Sequence, residues 1–222
     1  MPLSAVDDPE LDWISGYLHV EGNYQLVIDN LLDLTHVEFM HPFLADPTDT
    51  FPTDVACFEE GEDIVSRYTR EQSNTSRLVS ALWPDAPSVT SLLSEIRWRA
   101  PANLELLNCF SLAGAATSPD PRVRIPFFHL LTPETTTATH YFWSAGRNLK
   151  RGDVQTSAAL RAGIESTFVD EDEPMIADIQ RRIGDRALLD MKPLLLSIDK
   201  SAILARRRVE ALVQAERETS TG

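Results

Sequence analysis

The order of apolar and turn-forming residues predicts an α+β domain in which a curved antiparallel sheet wraps a long C-terminal helix. Three observations carry that expectation. A leucine-rich helical stretch opens the folded part, strand signals separated by Pro, Gly, Asp and Ser clusters fill the middle, and the last third turns helical again. No βαβ alternation is visible, and neither G-x-G-x-x-G nor G-x-x-x-x-G-K-[ST] occurs, which disfavours a dinucleotide or ATP fold.

Residues 1–22 read as an irregular lead-in, with Trp13 and Tyr17 available to pack. A helix follows from Tyr24 to about Met40, its apolar positions Val27, Ile28, Leu31 and Leu34 falling at three- and four-residue spacing. The segment 42–53 holds three prolines and reads as a loop. Val55 to Val65 reads as two strands joined at Gly61. Further strands are expected over Glu95–Arg99, Leu104–Leu112, Arg122–Leu131 and Thr136–Ser144. The last includes part of a threonine run, Thr135 to Thr137, followed by His140-Tyr141-Phe142-Trp143, all favourable strand residues. Pro174 to about Arg182 forms one helix. Ala202, Ala205, Val209, Leu212 and Val213 trace the apolar stripe of another that starts near Asp199. The expected organisation is a lead-in over 1–22, one folded domain over 23–218 and a tail over 219–222.

The 222 residues suffice to bury a sizeable core, and 43% hydrophobic with 24% charged residues is ordinary for a globular chain. A formal net charge of −14 repels a phosphate backbone, so nucleic-acid binding is not expected. No apolar run approaches the ~20 residues of a membrane span. The acidic N-terminus lacks the basic start and apolar stretch of a signal peptide, so a cytoplasmic location is expected. Cys57 and Cys109 form no C-x-x-C and neither adjoins a histidine, which points to two reduced, buried thiols.

The informative stretch runs from Asn23 to Pro42. Asn30, Asp33 and His36 step by three, which places them on one polar ridge of a helix that is otherwise rich in leucine. Polar groups among so many apolar neighbours need partners, and metal coordination supplies one kind. His41 lies five residues beyond His36, an offset of about 140° on an ideal helix. Pro42 disfavours the helical conformation at His41, which frees that ring to swing toward the first. Two imidazoles with a carboxylate suit a non-haem ferrous site that has open positions for oxygen. The acidic cluster Asp170-Glu171-Asp172-Glu173, ahead of Pro174, offers four candidates for that carboxylate, and the same acids suit the start of a new helix. The residues alone leave the choice among the four open.

The pattern D-N-L-L-D-L-x-H-x-x-x-x-H, here Asp29 to His41, resembles the iron-binding helix of Rieske non-haem iron aromatic oxygenases, in the branch of vanillate and dicamba demethylases. The resemblance spans about residues 20 to 215. It implies that His36 and His41 bind mononuclear Fe(2+), that Asp33 bridges electrons arriving from a neighbouring subunit, and that Asn30 lies near the iron. In that family the iron-binding aspartate ends an E-D pair opening a helix that closes in I-Q-R-R, which falls on Asp172. Ile96-Arg97-Trp98, Leu131 to Thr135 and His140 to Trp143 also resemble sheet segments around the family's substrate cavity. His140 and Phe142 alternate with Tyr141 and Trp143, so one pair faces inward. The resemblance turns His140, with Phe142, toward the substrate and adds Asn108, while His19 and His129 are left as structural.

The resemblance further implies a helix-grip (START/Bet v1-like) fold and a homotrimer. The implied activity is O2-dependent O-demethylation or hydroxylation of a methoxy- or methyl-bearing aromatic acid. The family's N-terminal Rieske domain carries C-x-H and C-x-x-H pairs, and this sequence holds neither. The expectation is therefore that the Rieske domain is absent and that a partner domain or chain, with a ferredoxin or reductase, supplies the [2Fe–2S] centre and electrons from NADH. The competing expectation is a non-catalytic helix-grip module, or a remnant oxygenase, that holds an apolar ligand; iron content separates the two. A metal hydrolase is disfavoured because no H-E-x-x-H occurs.

Overall fold

The structure is a computed structural model and describes residues 5–220. The first four residues of the expected lead-in and the last two of the expected tail lie outside the described residues. A seven-stranded, wholly antiparallel sheet forms the frame, in the order β1-β7-β6-β5-β4-β3-β2. Its strands are β1 (Asp12–Val20), β2 (Asp54–Glu60), β3 (Asp63–Asn74), β4 (Val89–Arg99), β5 (Asn103–Leu112), β6 (Val123–Pro133) and β7 (Thr139–Arg147). The helices are α1 (Tyr24–Leu32), the single turn α2 (Val37–Met40), α3 (Arg77–Leu82), α4 (Val154–Ser166), α5 (Glu173–Ile183) and α6 (Lys200–Ser220). The α+β expectation holds: the sheet is curved and the chain closes on a long helix. No helix among the described residues is long and apolar enough to cross a membrane.

The segment read as irregular contains β1. Ile14, Leu18 and Val20 alternate with outward Ser15, Tyr17 and His19, and the strand pairs along its whole length with β7. The alternation is present in the sequence, but Ser15-Gly16 interrupts it with residues that usually mark turns. Gly16 is required by packing: an added Cβ would stand 2.4 Å from the Trp143 indole. The threonine run also differs from expectation, since β7 begins only at Thr139 and residues 134–138 form the β6–β7 connection.

One cross-strand row organises the core. Ile64, Trp98, Leu104, His129, Trp143 and Gly16 are successive partners across six strands. All but the glycine are buried. Directly paired residues share a face, so this row defines the inner surface on which the helices lie. α1 packs Leu26, Val27, Ile28 and Leu32 there, and the side chain of Asn23 caps its start by accepting from the Gln25 N–H.

α6 docks on α1, β2 and β3. Arg206 holds Asp29 through both carboxylate oxygens and donates to Gln25 Oε1 at 2.8 Å. Ala202, Ala205 and Val209 are buried, whereas Leu212 and Val213 of the expected stripe are exposed, so only the first half of α6 packs. Basic side chains from the helices also reach the two edge strands. Arg161 donates to the Ser15 carbonyl of β1, Lys200 to the Cys57 carbonyl of β2 at 3.4 Å, and Arg208 pairs with Glu59.

Gly16→Ala should lower stability by about 1–3 kcal/mol, because the Trp143 indole must move off its place in a filled core. Urea unfolding monitored by tryptophan fluorescence reads this directly. An unchanged midpoint would mean that the indole is not seated over β1.

Candidate metal centre

The expected helix from Tyr24 to Met40 is broken. α1 stops at Leu32, Asp33 turns to extended backbone, and α2 begins only after His36. The break is an Asx turn: Asp33 Oδ1 accepts from the Thr35 N–H at 2.8 Å and from Thr35 Oγ1 at 2.6 Å. His36 is thereby lifted off the α1 ridge it was expected to share with Asn30 and Asp33. α2 closes at His41, whose backbone leaves the helical region ahead of Pro42, so both rings converge.

The third element is a π-helical turn over 167–172 that carries α4 into α5 without interruption. α5 therefore begins at Glu173 as a continuation of helical chain, with no side-chain cap from the acidic cluster, contrary to the capping role expected of it. Asp172 has helical backbone and caps nothing. The wider π turn re-aims the side chains at its end and directs Asp172 inward. Gly163 of α4 seats the Phe43 ring, where a Cβ would meet it at 2.6 Å, and so joins the segment after His41 to the same helix.

His36 Nε2 and His41 Nε2 lie 3.0 Å apart, and Asp172 Oδ1 lies 3.5 Å from the first and 3.3 Å from the second. Three donors on adjacent coordination positions about 2.1 Å from one ion are separated by roughly 3.0–3.4 Å, so the spacing fits. Asp172 is 5% exposed, and its Oδ1 has no hydrogen-bond partner. A buried carboxylate oxygen left so, facing two imidazole nitrogens, is the signature expected of a metal ligand. Burial works to raise the Asp172 carboxyl, but the two imidazoles outweigh it and hold the group below its usual range. Burial likewise works to lower His41, and Asp172 and Glu171 outweigh it upward.

Each ring is oriented through its other nitrogen. His41 Nδ1 donates to Glu171 Oε2 at 2.6 Å, and His36 Nδ1 donates to the backbone carbonyl of Asp33 at 2.5 Å. Both Nε2 lone pairs therefore face the shared point. The Asp33 carboxylate stands 3.8 Å from the His36 ring and serves the Asx turn. Glu171 was not singled out, although its place beside Asp172 in the acidic cluster was visible.

A second device fixes α2. Arg70, buried on β3, pairs with Glu38, which lies between the two histidines, and with Asp49 at 2.9 Å; it also donates to Thr53 at 2.7 Å. Tyr68 donates to Glu38 at 3.3 Å.

The centre opens on a cavity of about 140 Å³ beneath the sheet, walled chiefly by Leu31, Leu106, Ile125, Phe127 and Phe168. Asn30 and Asn108 line it, as do His129, expected to be structural, and Tyr141, expected on the face away from the substrate. His140 and Phe142 do not. The inward pair is Tyr141 and Trp143, and Phe142 is 46% exposed on the outer face. Period-two alternation identifies pairs of residues that share a face, and only the pairing with β6 and β1 decides which pair is inside. Asp33 and His36 also border an outer groove with Met175, Ile179, Leu194 and Leu195.

His129 is stacked on Phe127, and burial pushes its pKa down to about 3, so the ring is neutral. Its Nδ1 lies 2.6 Å from the Tyr141 hydroxyl, and its Nε2 has no partner. Tyr141 has no other acceptor among the described residues, so its proton goes to Nδ1 and the ring proton sits on Nε2. Asn108 Oδ1 accepts from Ser94 at 2.6 Å, which leaves its NH2 to donate.

Residues 20–215 match the vanillate O-demethylase oxygenase C-terminal domain family. The chain is 30% identical over 212 residues to the oxygenase component of a chloroacetanilide N-alkylformylase from Rhizorhabdus wittichii, covering 95% of this chain and 60% of that protein. It is 30% identical over 210 residues to the oxygenase component of a dicamba O-demethylase from Stenotrophomonas maltophilia, covering 94% and 61%. A crystal structure of dicamba monooxygenase bound to 3,6-dichlorosalicylic acid aligns with a TM-score of 0.87 at 26% identity, over 98% of this chain and 63% of that one. The chain thus spans about three fifths of the length of the curated relatives it matches.

Glu171→Gln should weaken divalent-metal binding about 10- to 100-fold with the fold retained, because the amide holds His41 in place less strongly. Cobalt titration followed by visible absorption measures this. Parent-like affinity would show that the Glu171 contact does not orient the ring.

Proposed function

The chain belongs to the vanillate O-demethylase oxygenase C-terminal domain family, and on that premise we propose that it is the mononuclear-iron catalytic domain of a Rieske-type aromatic oxygenase. His36, His41 and Asp172 would hold Fe(2+). The observation that carries this reading is the approach of three donor atoms, 3.0–3.5 Å apart, around the unpartnered Asp172 Oδ1 at the wall of an apolar cavity. A dicamba monooxygenase structure that contains non-heme iron and dicamba has the same fold, with a TM-score of 0.79 at 24% identity.

The substrate class is a small methoxy- or methyl-substituted aromatic acid. Its ring suits the aliphatic and Phe127 walls, which exclude water. Its carboxylate suits the donors on the sheet side: His129 Nε2–H and the Asn108 amide have protons to give and no competing acceptor. Iron at this site supplies activation of O2 for hydroxylation of the substrate carbon, with two electrons from NADH delivered through a reductase and a [2Fe–2S] centre. For a methoxyarene the balance is one O2, one NADH and one proton consumed, with phenol, formaldehyde, water and NAD⁺ released, because the hydroxylated methoxy carbon is a hemiacetal that collapses. The chain's own part is to hold the two imidazoles turned inward, through Glu171 and the Asp33 carbonyl, and to hold the arene beside them.

Asp33, shared by the cavity and the outer groove, is the proposed route for electrons from the Rieske domain of a neighbouring subunit in a cytoplasmic homotrimer. Relatives are described as oxygenase components, which supports a multi-component system.

The isolated chain should take up one ferrous ion, lost in His36→Ala, and should show no NADH-driven demethylation with reductase alone. A preparation unable to bind iron would favour the ligand-carrier reading. In an assembly provided with its Rieske partner, Asp33→Asn should leave iron content near the parent's while product formation falls at least tenfold. Undiminished turnover would show that electrons do not pass through that carboxylate. His129→Phe should weaken the aromatic acid about tenfold, the loss of one charge-assisted hydrogen bond, and leave its methyl ester little changed. Equal losses for both would assign His129 to packing.

A further inference from the structure

The outer face of the β1–β7 pair carries a second imidazole pair. His19 and His140 are direct partners in the β1–β7 register and both point outward, while the neighbouring pairs Leu18–Tyr141 and Val20–Thr139 point in. Their ring centres lie 5.6 Å apart, against 4.9 Å for His36 and His41. Two imidazoles on one ion, at about 2.0–2.1 Å per nitrogen and a near-tetrahedral angle, place their ring centres roughly 5–5.5 Å apart. The observed separation lies just beyond that range.

Each ring is also held through one nitrogen. His19 Nε2 lies 2.6 Å from Glu134 Oε2, and His140 Nδ1 lies 2.9 Å from the Tyr17 hydroxyl. His19 Nδ1 and His140 Nε2 have no partner among the described residues. One nitrogen tied to a carboxylate or hydroxyl and the other free is how metal-binding imidazoles are set up. The hydrogen bond with His19 holds the Glu134 carboxyl below its usual range, so a carboxylate stands beside the pair. The His19 and Glu134 side chains are 46% and 44% exposed, open to an ion from solvent.

We propose that His19 and His140, supported by Glu134 and Tyr17, form a surface site for a divalent transition-metal ion of the zinc, copper and nickel class. Nitrogen donors select these ions over calcium or magnesium. Because the two ligands sit on different strands, the ion would tie the edge strand β1 to β7 and raise stability as it binds. The site stands apart from the buried centre and does not depend on that centre's assignment.

Zinc alone is the probe, titrated calorimetrically into a full-length His36→Ala/His41→Ala/Asp172→Asn variant, with thermal unfolding as a parallel readout. One equivalent should bind and raise Tm, and adding His19→Ala or His140→Ala should weaken binding at least tenfold and remove the shift. No zinc uptake by the triple variant, or unchanged affinity once both outer histidines are replaced, overturns the proposal. If the triple variant does not fold, the parent decides. Its zinc stoichiometry falling by one in His140→Ala supports the site, and equal stoichiometry overturns it.

Discussion

Two imidazole nitrogens and a carboxylate oxygen must stand within 3.5 Å of one another inside an apolar interior, and much of the local structure answers that demand. Left to regular helices, the three side chains would diverge. The chain makes three local departures: an Asx turn that ends α1, a proline that ends α2, and a π turn that carries α4 into α5. Each departure gives up regular helical bonding, and each lies within a few residues of a donor. The surrounding ion pairs stiffen these departures. Arg70 grips α2 through Glu38, and Arg206 grips α1 through Asp29, both with little exposure to solvent. Such pairs add little net stability, but losing one partner leaves a buried charge, so alternative placements of these helices are strongly disfavoured.

The sequence made the residues of the centre legible better than their geometry. Asn30, Asp33, His36 and His41 stand out as polar residues in a leucine-rich run whatever the backbone does. The break between them was hidden, because Leu31 and Leu34 continue the helical period straight through a turn set by one aspartate and one threonine. Asp172 was singled out among four acids only through a family resemblance. Nothing in composition signals a π turn, which packs its Phe168 edge-on against Tyr141 of a distant strand. His140 and His129 show a different limit. Alternation assigns residues to two faces without saying which is inside, and the answer lay in long-range pairing with β1 and β6. β1 was missed because a glycine that reads locally as a turn is required by a tryptophan 127 positions away.

The cavity's chemistry depends on the same long-range row. His129 occupies it between Leu104 and Trp143, which is why the ring is neutral and its tautomer is set by Tyr141. A histidine so placed cannot change charge across the physiological range, so its Nε2–H is a permanent donor. Reactivity and recognition are thus divided between two layers, with titratable, metal-ready imidazoles on the helical side and a fixed hydrogen-bonding surface on the sheet side.

The basic side chains that reach the edge strands have a consequence for how the molecule meets other chains. An open seven-stranded sheet offers two free backbone edges, each a template on which a foreign strand could add. Arg161 takes the Ser15 carbonyl on one edge, and Lys200 takes the Cys57 carbonyl on the other. β2 adds acidic side chains at its two ends, Asp54, Glu59 and Glu60. Both margins are therefore poor sites for β-augmentation. Self-association by edge pairing, the ordinary route from an open sheet to fibrils, is opposed by the same helices that cover the core.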